Sequence, residues 1–397
     1  MRIRRYPPLL LMILLLWSCG GSSQGPGAVV GPPPPIVVSP NAADHPDFLC
    51  DGSEDDVEIN RALRRADSTA SRTVRLGAGT YHVQHGIIVT NGLTLRGSGA
   101  ATVLRLDDNA PTMTSAAGIV RLKDDAKRGS AKRVRNVTLE DFVVDGNRAN
   151  QVVGVDEKKY GFYAEGDSLV FRRLVARNCA GYGFDPHSFA DTVATTIALI
   201  EDCEAHGNAF DGFTLDRVER STFRRNHAHD NDRHGINLTG GTADVTLSDS
   251  RSLRNGATGL MAQNGARRIV IDGCELTANA LEGIYLRDAD GCRVLGNRVK
   301  GNSRSGIVLR LSDSATVSGN DLADNDAAAL GYAVVLLDSA TVNTVRSNSV
   351  FGATARGGVV EDGTADYNVV SDNVIGVRSR PVLLIGPHSS QSGNILR

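Results

Sequence analysis

Aromatic side chains are scarce in this sequence: Phe, Trp and Tyr together make up 5% of the 397 residues. A chain of this length exceeds the usual size of one hydrophobic core, so it needs either two domains or one elongated repeat architecture. The 43 glycines favour the repeat, because Gly, Asn and Asp recur between short bursts of Val, Ile and Leu. This composition is typical of many short strands joined by tight turns. Long amphipathic helical patterns are scarce after the first fifth of the chain, which argues against a mainly helical fold.

Cysteine is also rare, and its spacing gives no metal-binding motif of the Cys/His type. Besides Cys19, which belongs to the N-terminal segment, the chain has Cys50, Cys179, Cys203, Cys274 and Cys292. An odd number cannot pair completely, and no close pair shares a register of the repeat described below. We therefore expect these five cysteines to be small buried core residues rather than a disulfide framework.

The N-terminus has the pattern of an export signal. Three arginines among the first five residues precede an apolar run that is too short to span a bilayer. Residues 1–18 are therefore predicted to be a signal peptide, and Cys19 is the predicted lipid attachment site. Residues 19–45, rich in Gly, Ser and Pro, are predicted to be a tether, with the folded domain at 46–397. The expected location is the outer membrane or cell surface, facing either the periplasm or the exterior.

The charge of the chain is nearly balanced, with a formal net charge of −2 that becomes −5 without the three arginines of the export signal. This negative balance argues against nucleic acid or an anionic membrane surface as a partner. A polyanionic substrate would have to be held by a local strip of basic side chains.

An asparagine recurs every 23 or 24 residues from Asn208 onward, and a glycine follows most of these anchors four residues later. A period of this length is typical of one coil of a β-solenoid. The anchors are Asn208, Asn231, Asn255, Asn279, Asn302 and Asn325, and the glycines are Gly212, Gly235, Gly259, Gly283 and Gly306. In most coils the first and third residues after the glycine are apolar and should face inward, while the alternate residues face outward. We expect the anchor to tolerate the left-handed backbone of a sharp turn and to bond to its neighbour one coil away.

The start of this solenoid needs a cover, because backbone groups exposed at the end of a parallel stack can pair with other chains. Residues 55–66 combine an acidic first turn with apolar residues at helical spacing, which predicts a short capping helix. Strands are predicted after it at 73–76, 81–83 and 93–95. The expected fold class is all-β, a single-stranded parallel β-helix with a short N-terminal capping helix.

Ionisable residues converge on three neighbouring coils: Tyr182, Asp185, His187, Asp211, Arg233 and His234. When the repeat is aligned backward, Tyr182, Asp211 and His234 fall in one column, and coils about 4.8 Å apart would bring them within reach of one sugar. Asp185 and His187 share an outward parity on the strand that follows Tyr182. A lone Tyr or His on a solenoid face is usually solvated surface. The convergence has no packing rationale, however, so we expect a functional site here.

Such groups suit proton transfer at the carbon next to the carboxylate of a uronic acid. The site must neutralise that carboxylate, remove one proton and supply another from the opposite face. Tyr182 and His187 are the natural proton-handling pair. Asp185 and Asp211 can tune their pKa values, and Arg233 can bind the substrate carboxylate as a bidentate donor.

A second outward column lies four residues past the glycines and is basic at its far end: His187, Asp216, Thr239, Gln263, Arg287 and Arg310. Arg287 and Arg310 are candidate subsites along a groove that holds several sugars. The alternative is that they are ordinary surface arginines.

These motifs resemble the catalytic module of the mannuronan C5-epimerases. That module carries the hexapeptide found here at 182–187, an Asp-Gly-Phe like 211–213 and an Asn-Asp-Arg-His-Gly like 231–235, and the similarity extends from Asp51 to Ser389. The resemblance implies a right-handed parallel β-helix that converts mannuronate to guluronate in alginate. It also implies residue roles: Tyr182, Asp185, His187 and Asp211 would be catalytic, and Arg121, Arg233, His234 and Arg287 would bind substrate.

The chain departs from the family pattern where the family usually has a lysine and this sequence has Gly154. Lys158 and Lys159 lie nearby and are taken as further candidates for substrate binding. Asp156 resembles a calcium ligand of the family, so calcium remains a candidate cofactor, although no loop offers a convincing set of oxygen ligands. No organic cofactor is expected. The expected partners are an anionic polysaccharide and, through the lipid anchor alone, a membrane, and the chain is expected to be a monomer.

Other functions fit the same residues. A polyuronate lyase shares the proton abstraction but then expels the glycosidic oxygen at C4 by β-elimination. A hydrolase of this fold would need two or three carboxylates around the scissile bond, which leaves Tyr182 and His187 without a role. A non-enzymatic glycan-binding surface lipoprotein fits the anchor and tether equally well.

Overall fold

The structure is a computed structural model. It describes residues 33–111, 118–123, 133–152, 159–188, 193–326, 331–352, 356–377 and 379–397. Residues 34–397 form one compact unit. Its short strands pair in parallel with the equivalent strands of neighbouring coils, so that a typical coil contributes one strand to each of three stacks. The predicted all-β parallel β-helix is confirmed.

The first stack carries the candidate site. Its strands are Ile87–Ile88, Gly118–Leu122, Tyr160–Ala164, Phe184–Pro186, Phe213–Asp216, Ile236–Thr239, Leu260–Arg267, Ile284–Asp290, Ile307–Arg310, Val334–Leu337, Val359–Asp362 and Val382–Leu383. The strands from Leu260 and Ile284 are longer than the others and continue around the corner toward the second stack.

The second and third stacks form the remaining walls. The second contains Ile36–Ser39, Thr73–Leu76, Thr94–Arg96, Thr195–Glu201, Val218–Arg224, Ala243–Ser248, Val270–Asp272, Arg293–Leu295, Thr316–Ser318, Thr344–Arg346, Val369–Ser371 and Ser390–Ser392. The third contains Gly79–Val83, Thr102–Leu106, Glu204–His206, His227–His229, Arg251–Leu253, Glu275–Thr277, Arg298–Lys300, Asp321–Ala323, Ser349–Phe351, Val374–Gly376 and Ile395–Leu396. Two long strands, Thr138–Asp145 and Leu169–Arg177, serve both stacks.

A few short elements lie outside the three stacks. Phe48–Leu49 pairs with the strand Ile36–Ser39, and Val134–Arg135 pairs with Gly166–Asp167 as a separate two-stranded sheet. Short 3₁₀ turns occur at Ala42–Asp44, Gly99–Ala101 and Arg148–Asn150.

The core consists of columns of apolar side chains, one member per coil. The predicted inward positions, such as Phe213, Leu215 and Leu238, are fully buried. Beneath the candidate site, Phe184 stacks between Phe162 and Phe213 with centroids 4.6 Å apart on each side. Burying a phenylalanine side chain stabilises a fold by about 1.5–3 kcal/mol. The same stack fixes the register of the residues that flank each phenylalanine, including Asp185.

The anchor asparagines form a buried ladder along the solenoid. In each of the five steps from Asn208 to Asn325, the side-chain amide donates to the side-chain oxygen of the next anchor at 2.9 or 3.0 Å. The predicted contact one coil away is therefore confirmed. The left-handed residue is not the anchor but the one before it, in the series Gly207, Asp230, Arg254, Ala278, Gly301 and Asp324. That preceding residue makes the turn, and the anchor side chain is then directed inward to reach the next coil.

A helix, α1, covers the start of the solenoid at Asp56–Asp67. Its residues Ile59, Ala62 and Leu63 are buried against the core. The side-chain oxygen of Asn60 accepts from the backbone N–H of Ile88 at 2.9 Å, which ties the helix to the first stack. The predicted cap is confirmed, as is the strand at 73–76.

The predicted boundary between tether and domain is wrong. The strand Ile36–Ser39 pairs in register with Thr73–Leu76, and Val38 is fully buried, so part of the predicted tether 19–45 is already built into the solenoid. A valine-rich strand can join a stack despite the four prolines that precede it, because prolines are tolerated just before a strand begins. The predicted signal peptide, residues 1–18, and Cys19 lie outside the described residues.

The five remaining cysteines are unpaired and buried, as the sequence predicts. Within the described part of the chain, no helix has both the length and the apolar character needed to cross a membrane.

Candidate active site

Tyr182, Asp211 and His234 occupy one column on consecutive coils. The backbone N–H of Gly183 donates to the carbonyl of Asp211 at 3.1 Å, and that of Gly212 donates to the carbonyl of His234 at 3.0 Å. The vertical alignment predicted from the repeat is therefore present, at the entrance to three strands of the first stack.

Tyr182 is held in an aromatic sandwich at this entrance. Its ring lies 5.0 Å from that of Tyr160 and 5.1 Å from that of Phe210, and the side chain remains partly exposed. Burial and the nearby Asp211 carboxylate raise the pKa of Tyr182, while a hydrogen bond and the positive charge of Arg233 oppose this. The phenol is thus protonated at neutral pH and can act as a proton donor.

His187 lies three residues beyond Phe184 and faces two carboxylates. Its Nδ1 is 3.4 Å from Oδ2 of Asp216 and 4.0 Å from Oδ1 of Asp185. Burial lowers the pKa of His187, although Asp216 and Glu165 act to raise it. The imidazole is therefore neutral at pH 7. The carboxylates beside Nδ1 favour the proton on that atom and leave the lone pair on Nε2.

Asp211 is completely buried and accepts hydrogen bonds at both oxygens. Oδ1 accepts from the backbone N–H of His234 at 3.0 Å, and Oδ2 accepts from Thr214 Oγ1 and Asn237 Nδ2, each at 3.0 Å. Arg233 Nε lies 3.6 Å from Oδ1. These donors hold the carboxylate in place, and the bond from His234 fixes the position of the next coil.

Asp211→Asn tests this arrangement. Every group bonded to Asp211 is a donor, so an asparagine must direct its own NH₂ at one of them and leave a buried donor unsatisfied. We expect the free energy of unfolding to fall by about 1–3 kcal/mol in urea titrations. Asp232→Asn is the matched control, because Asp232 is exposed and pairs with Arg148 at the surface. That change should cost at most about 1 kcal/mol, and equal losses in the two variants would contradict the structural role of Asp211.

Asp185 is also buried, with 3% exposure. Its strand aligns with the preceding one, so that Arg121, Tyr163 and Asp185 follow one another in a column. The outward parity predicted for Asp185 is correct, but neighbouring side chains cover it. Burial makes Asp185 better suited to orient His187 than to contact a polymer directly.

The two remaining neighbours of the column, Arg233 and His234, differ in exposure. The Arg233 side chain is 44% exposed, and its guanidinium lies 5.5 Å from the centroid of the Phe210 ring. His234 is partly buried and its Nδ1 accepts from the backbone N–H of Thr258 at 3.2 Å. Burial lowers the pKa of His234 despite the proximity of Asp211. Arg233 is therefore the accessible cation of the site.

Two charged residues that the sequence did not single out lie near His187. Lys123 Nζ is 3.6 Å from Glu165 Oε2, and both side chains are buried. The Lys123 ammonium also lies 5.5 Å from the centre of the Tyr163 ring, which in turn packs against His187 at 6.2 Å. The repeat becomes recognisable only after about residue 170, so alignment from the sequence could not bring these earlier residues into register.

The predicted second column is present. His187 pairs with Asp216, Asp216 with Thr239, and the register continues through Arg287 to Arg310. Arg287 is exposed, whereas Arg310 donates from Nε to Asp338 at 2.5 Å. Arg287 is thus the freer of the two predicted subsite cations.

Lys159 is a correction to the predicted substrate-binding set. It is 1% exposed, and its ammonium donates to the carbonyl of Ala110 at 2.8 Å and to Gln151 Oε1 at 3.0 Å. These bonds satisfy a charge inside the body, where a polymer cannot reach it. Lys158 and Asp156 lie outside the described residues.

Comparison with known proteins gives consistent relatives. The sequence is 34% identical to mannuronan C5-epimerase AlgE3 of Azotobacter vinelandii over an alignment of 375 positions that covers 86% of this chain. The chain spans about a fifth of that relative's length. The solved A-module of mannuronan C-5 epimerase AlgE4 from the same organism superimposes with a TM-score of 0.78 at 28% identity, covering 90% of this chain and 100% of that one. A less similar relative is alginate lyase 7 of A. vinelandii, 28% identical over 49% of this chain and 23% of its own length.

The repeat region also matches a known family. A family model described as the right handed beta helix region matches residues 131–321 and 243–375, which together make up more than half of the chain. The asparagine ladder from Asn208 to Asn325 lies within these residues, although its last anchor falls only in the second match. The chain therefore belongs to the right-handed β-helix family.

Proposed function

We propose that this chain is a C5-epimerase of polymeric uronic acids that converts mannuronate to guluronate in alginate. The observation that carries the proposal is the pair of proton-handling groups in complementary states: a protonated phenol at Tyr182 and a neutral imidazole at His187. Both are partly exposed on one wall, beside the accessible cation Arg233. The similarity of the whole fold to an epimerase A-module supports the same reaction.

The reaction needs the weakly acidic proton at C5 to be removed and replaced from the other side. Arg233 would bind the substrate carboxylate and stabilise the negative charge that develops on it. His187 Nε2 would then accept the C5 proton, and the electron pair of the broken C5–H bond would move into the carboxylate. Tyr182 would donate its phenolic proton to the opposite face of C5, which completes the inversion.

A polymer would extend along the first stack, beyond the site toward higher residue numbers. Arg287 lies exposed in that direction, and a cavity of about 380 Å³ follows, lined by residues that include Tyr285, Arg304, Tyr332 and Arg356. Cations and aromatic rings of this kind suit the carboxylates and sugar faces of a polyuronate. The substrate class supported best is thus an anionic polysaccharide rather than a single sugar.

The second candidate function is a polyuronate lyase, which the similarity to alginate lyase 7 favours. Both reactions begin with the same proton abstraction. A lyase then eliminates the C4 oxygen, and its products absorb ultraviolet light.

Proton NMR of polymannuronate incubated with the protein in heavy water separates the two reactions. Epimerisation should produce guluronate with deuterium at C5, and chain length should stay constant. Growth of ultraviolet absorbance without any guluronate would favour the lyase. If the polymer binds to the protein but shows neither deuterium at C5 nor increased ultraviolet absorbance, the protein would be a non-enzymatic glycan-binding protein.

The pH dependence tests the assignment of His187 as the base. Burial lowers the pKa of His187 below its ordinary value of about 6.5. As the pH falls, kcat/KM should therefore stay constant until the pH reaches this lowered pKa, and it should decrease at more acidic pH. Asp216→Asn removes a carboxylate that raises the pKa, so the acidic limb should move to still lower pH. A limb that stays in place would argue that another group titrates. Asp232→Asn, at an exposed position, is the control for a general change of charge.

Export and anchoring are part of the same proposal. A signal peptide at 1–18 and a lipid on Cys19 would hold the enzyme at the outer membrane or cell surface, where it meets an extracellular or periplasmic polymer. Radiolabelled palmitate should be incorporated into the wild-type chain and not into Cys19→Ser. Labelling of both would exclude this attachment site.

Calcium is proposed as an accessory ion of the catalytic body, with Asp156 as the candidate ligand. No step of the reaction above depends on it. Epimerase activity measured with a chelator and after calcium is restored tests the requirement. Thermal unfolding under the same two conditions separates a stabilising ion from one needed at the site.

A further inference from the structure

Three histidines and a glutamate form a grid on the third stack, on strands separate from those of the candidate active site. Glu204 and His206 are the outward residues of one strand, and His227 and His229 are those of the strand on the next coil. The register pairs Glu204 with His227 and His206 with His229. Three of the chain's nine histidines therefore meet on two consecutive coils.

Three of these residues bring potential metal ligands close together. One ligand atom each from Glu204, His227 and His229 lies within 4.8 Å of the other two. The His229 Nε2 is 2.8 Å from Glu204 Oε1, and the rings of His227 and His229 have centroids 4.3 Å apart. The fourth residue, His206, stacks on His229 with its ring nearly parallel at 4.9 Å.

The Nε2 atom of His227 is the least satisfied group of the cluster. It is buried and has no hydrogen-bond partner in the described part of the chain. Leaving a polar nitrogen buried without a partner costs about 1–3 kcal/mol. Burial and the neighbouring His229 lower the pKa of His227 to about 4, so its imidazole is neutral and keeps a lone pair for a ligand.

The charge of Glu204 and the charges around the cluster also favour a bound cation. Burial alone would raise the pKa of Glu204, but the hydrogen bond from His229 and the nearby histidines hold it below its ordinary value, so the carboxylate is ionised. The arginines whose charges reach these histidines each have a carboxylate of their own: Arg177 with Asp145, Arg251 with Glu275, and Arg254 with Asp230. Their positive charge is therefore largely neutralised locally.

We propose that Glu204, His227 and His229 bind a divalent transition-metal ion of the zinc type. Two imidazoles and a carboxylate form a ligand set that Zn²⁺ uses, with solvent in the fourth position. Ligand atoms around tetrahedral zinc lie about 3.3 Å apart, so these three need to approach by roughly 1.5 Å or less. Side chains on an outer wall can make that adjustment by changing rotamer. The ion would replace the proton that now lies between His229 and Glu204, and it would link two coils.

Zinc titration of the full chain tests this site without any measurement of epimerase activity. Isothermal titration calorimetry and metal analysis after dialysis should give one more equivalent of bound Zn²⁺ for the wild type than for His227→Gln. His388→Gln is the matched control, because His388 forms a histidine–carboxylate pair with Asp366 but belongs to no group of three possible ligands among the described residues. This control should bind zinc as the wild type does.

Two further measurements keep the result decisive. Glu204→Gln changes a partly exposed side chain and should also lose the equivalent, even if His227→Gln proves poorly folded by circular dichroism. Co²⁺ should give the intense visible absorption of a tetrahedral site in the wild type and not in either variant. Failure of the wild type to bind zinc, or equal binding by the wild type and both variants, would overturn the proposal.

Discussion

Tyr182→Phe should lower kcat on polymannuronate by about 10²- to 10⁴-fold, the range that a positioned acid or base contributes. The change removes only the phenolic oxygen, and the ring can keep its place between Tyr160 and Phe210. Since the pKa of Tyr182 is raised, the wild-type group is a proton donor at neutral pH, and phenylalanine cannot replace it. The measurement is the rate of guluronate formation by NMR at saturating substrate, with KM determined in parallel.

Tyr160→Phe is the matched control for this experiment. Tyr160 lies one coil earlier in the same column and is only 5% exposed, so a polymer can contact little of its side chain. We expect kcat to remain within a few-fold of wild type. If Tyr182→Phe retained wild-type kcat, another group would have to supply the proton. If it abolished guluronate formation but left deuterium exchange at C5, the variant would separate proton removal from proton delivery, as the proposed roles of His187 and Tyr182 require.

The repeat allowed the vertical alignment of the site to be predicted from the sequence. A strict period of 23 or 24 residues leaves one register between coils, because a slip of one residue would turn the buried columns outward. Asp211 and His234 lie one period apart, and Tyr182 aligns with them once an insertion at residues 188–195 is allowed for. The capping helix was predicted for a similar reason, since the end of a parallel stack has to be covered.

Burial within the site could not be predicted in the same way. Strand parity says which way Asp185 and Asp211 point, but it does not say which side chains of other coils lie over them. Lys159 illustrates the same problem, since a lysine in a charged segment is usually solvated, whereas this one bonds to the carbonyl of Ala110 inside the body. Which side chains bury a given residue depends on loops of irregular length. The sequences of these loops have no periodic pattern from which their positions could be predicted.

The start of the domain cannot be located from composition alone. The strand Ile36–Ser39 follows four prolines, which are typical of a tether. Its burial depends on pairing with Thr73–Leu76, a contact with a segment more than thirty residues away that local composition does not report. A second asparagine ladder, which includes Asn297 and Asn320, cannot be recognised from the period of the first, because these two residues fall between its anchors.

The asparagine ladder should prove to be the main polar support of the solenoid, and Asn302→Ala tests it at a distance from the proposed chemistry. Asn302 is fully buried. Its side-chain oxygen accepts from both the backbone and side-chain nitrogens of Asn279 at 3.0 Å, and its amide donates to Leu276 and Asn325 at 2.9 Å. Alanine leaves several of these buried groups without a partner, at about 1–3 kcal/mol for each.

We therefore expect Asn302→Ala to lower the free energy of unfolding by about 3–5 kcal/mol in urea titrations, a loss confined to the most severe substitutions. Ser303→Ala, at the next and partly exposed position, should change it by no more than about 0.5 kcal/mol. The kcat of the folded fraction should be unchanged, because Tyr182 and His187 lie on coils several turns away from Asn302. A loss no larger than that of Ser303→Ala would mean that water replaces the missing amide, and that stacking of the apolar columns alone sets the register on which the site depends.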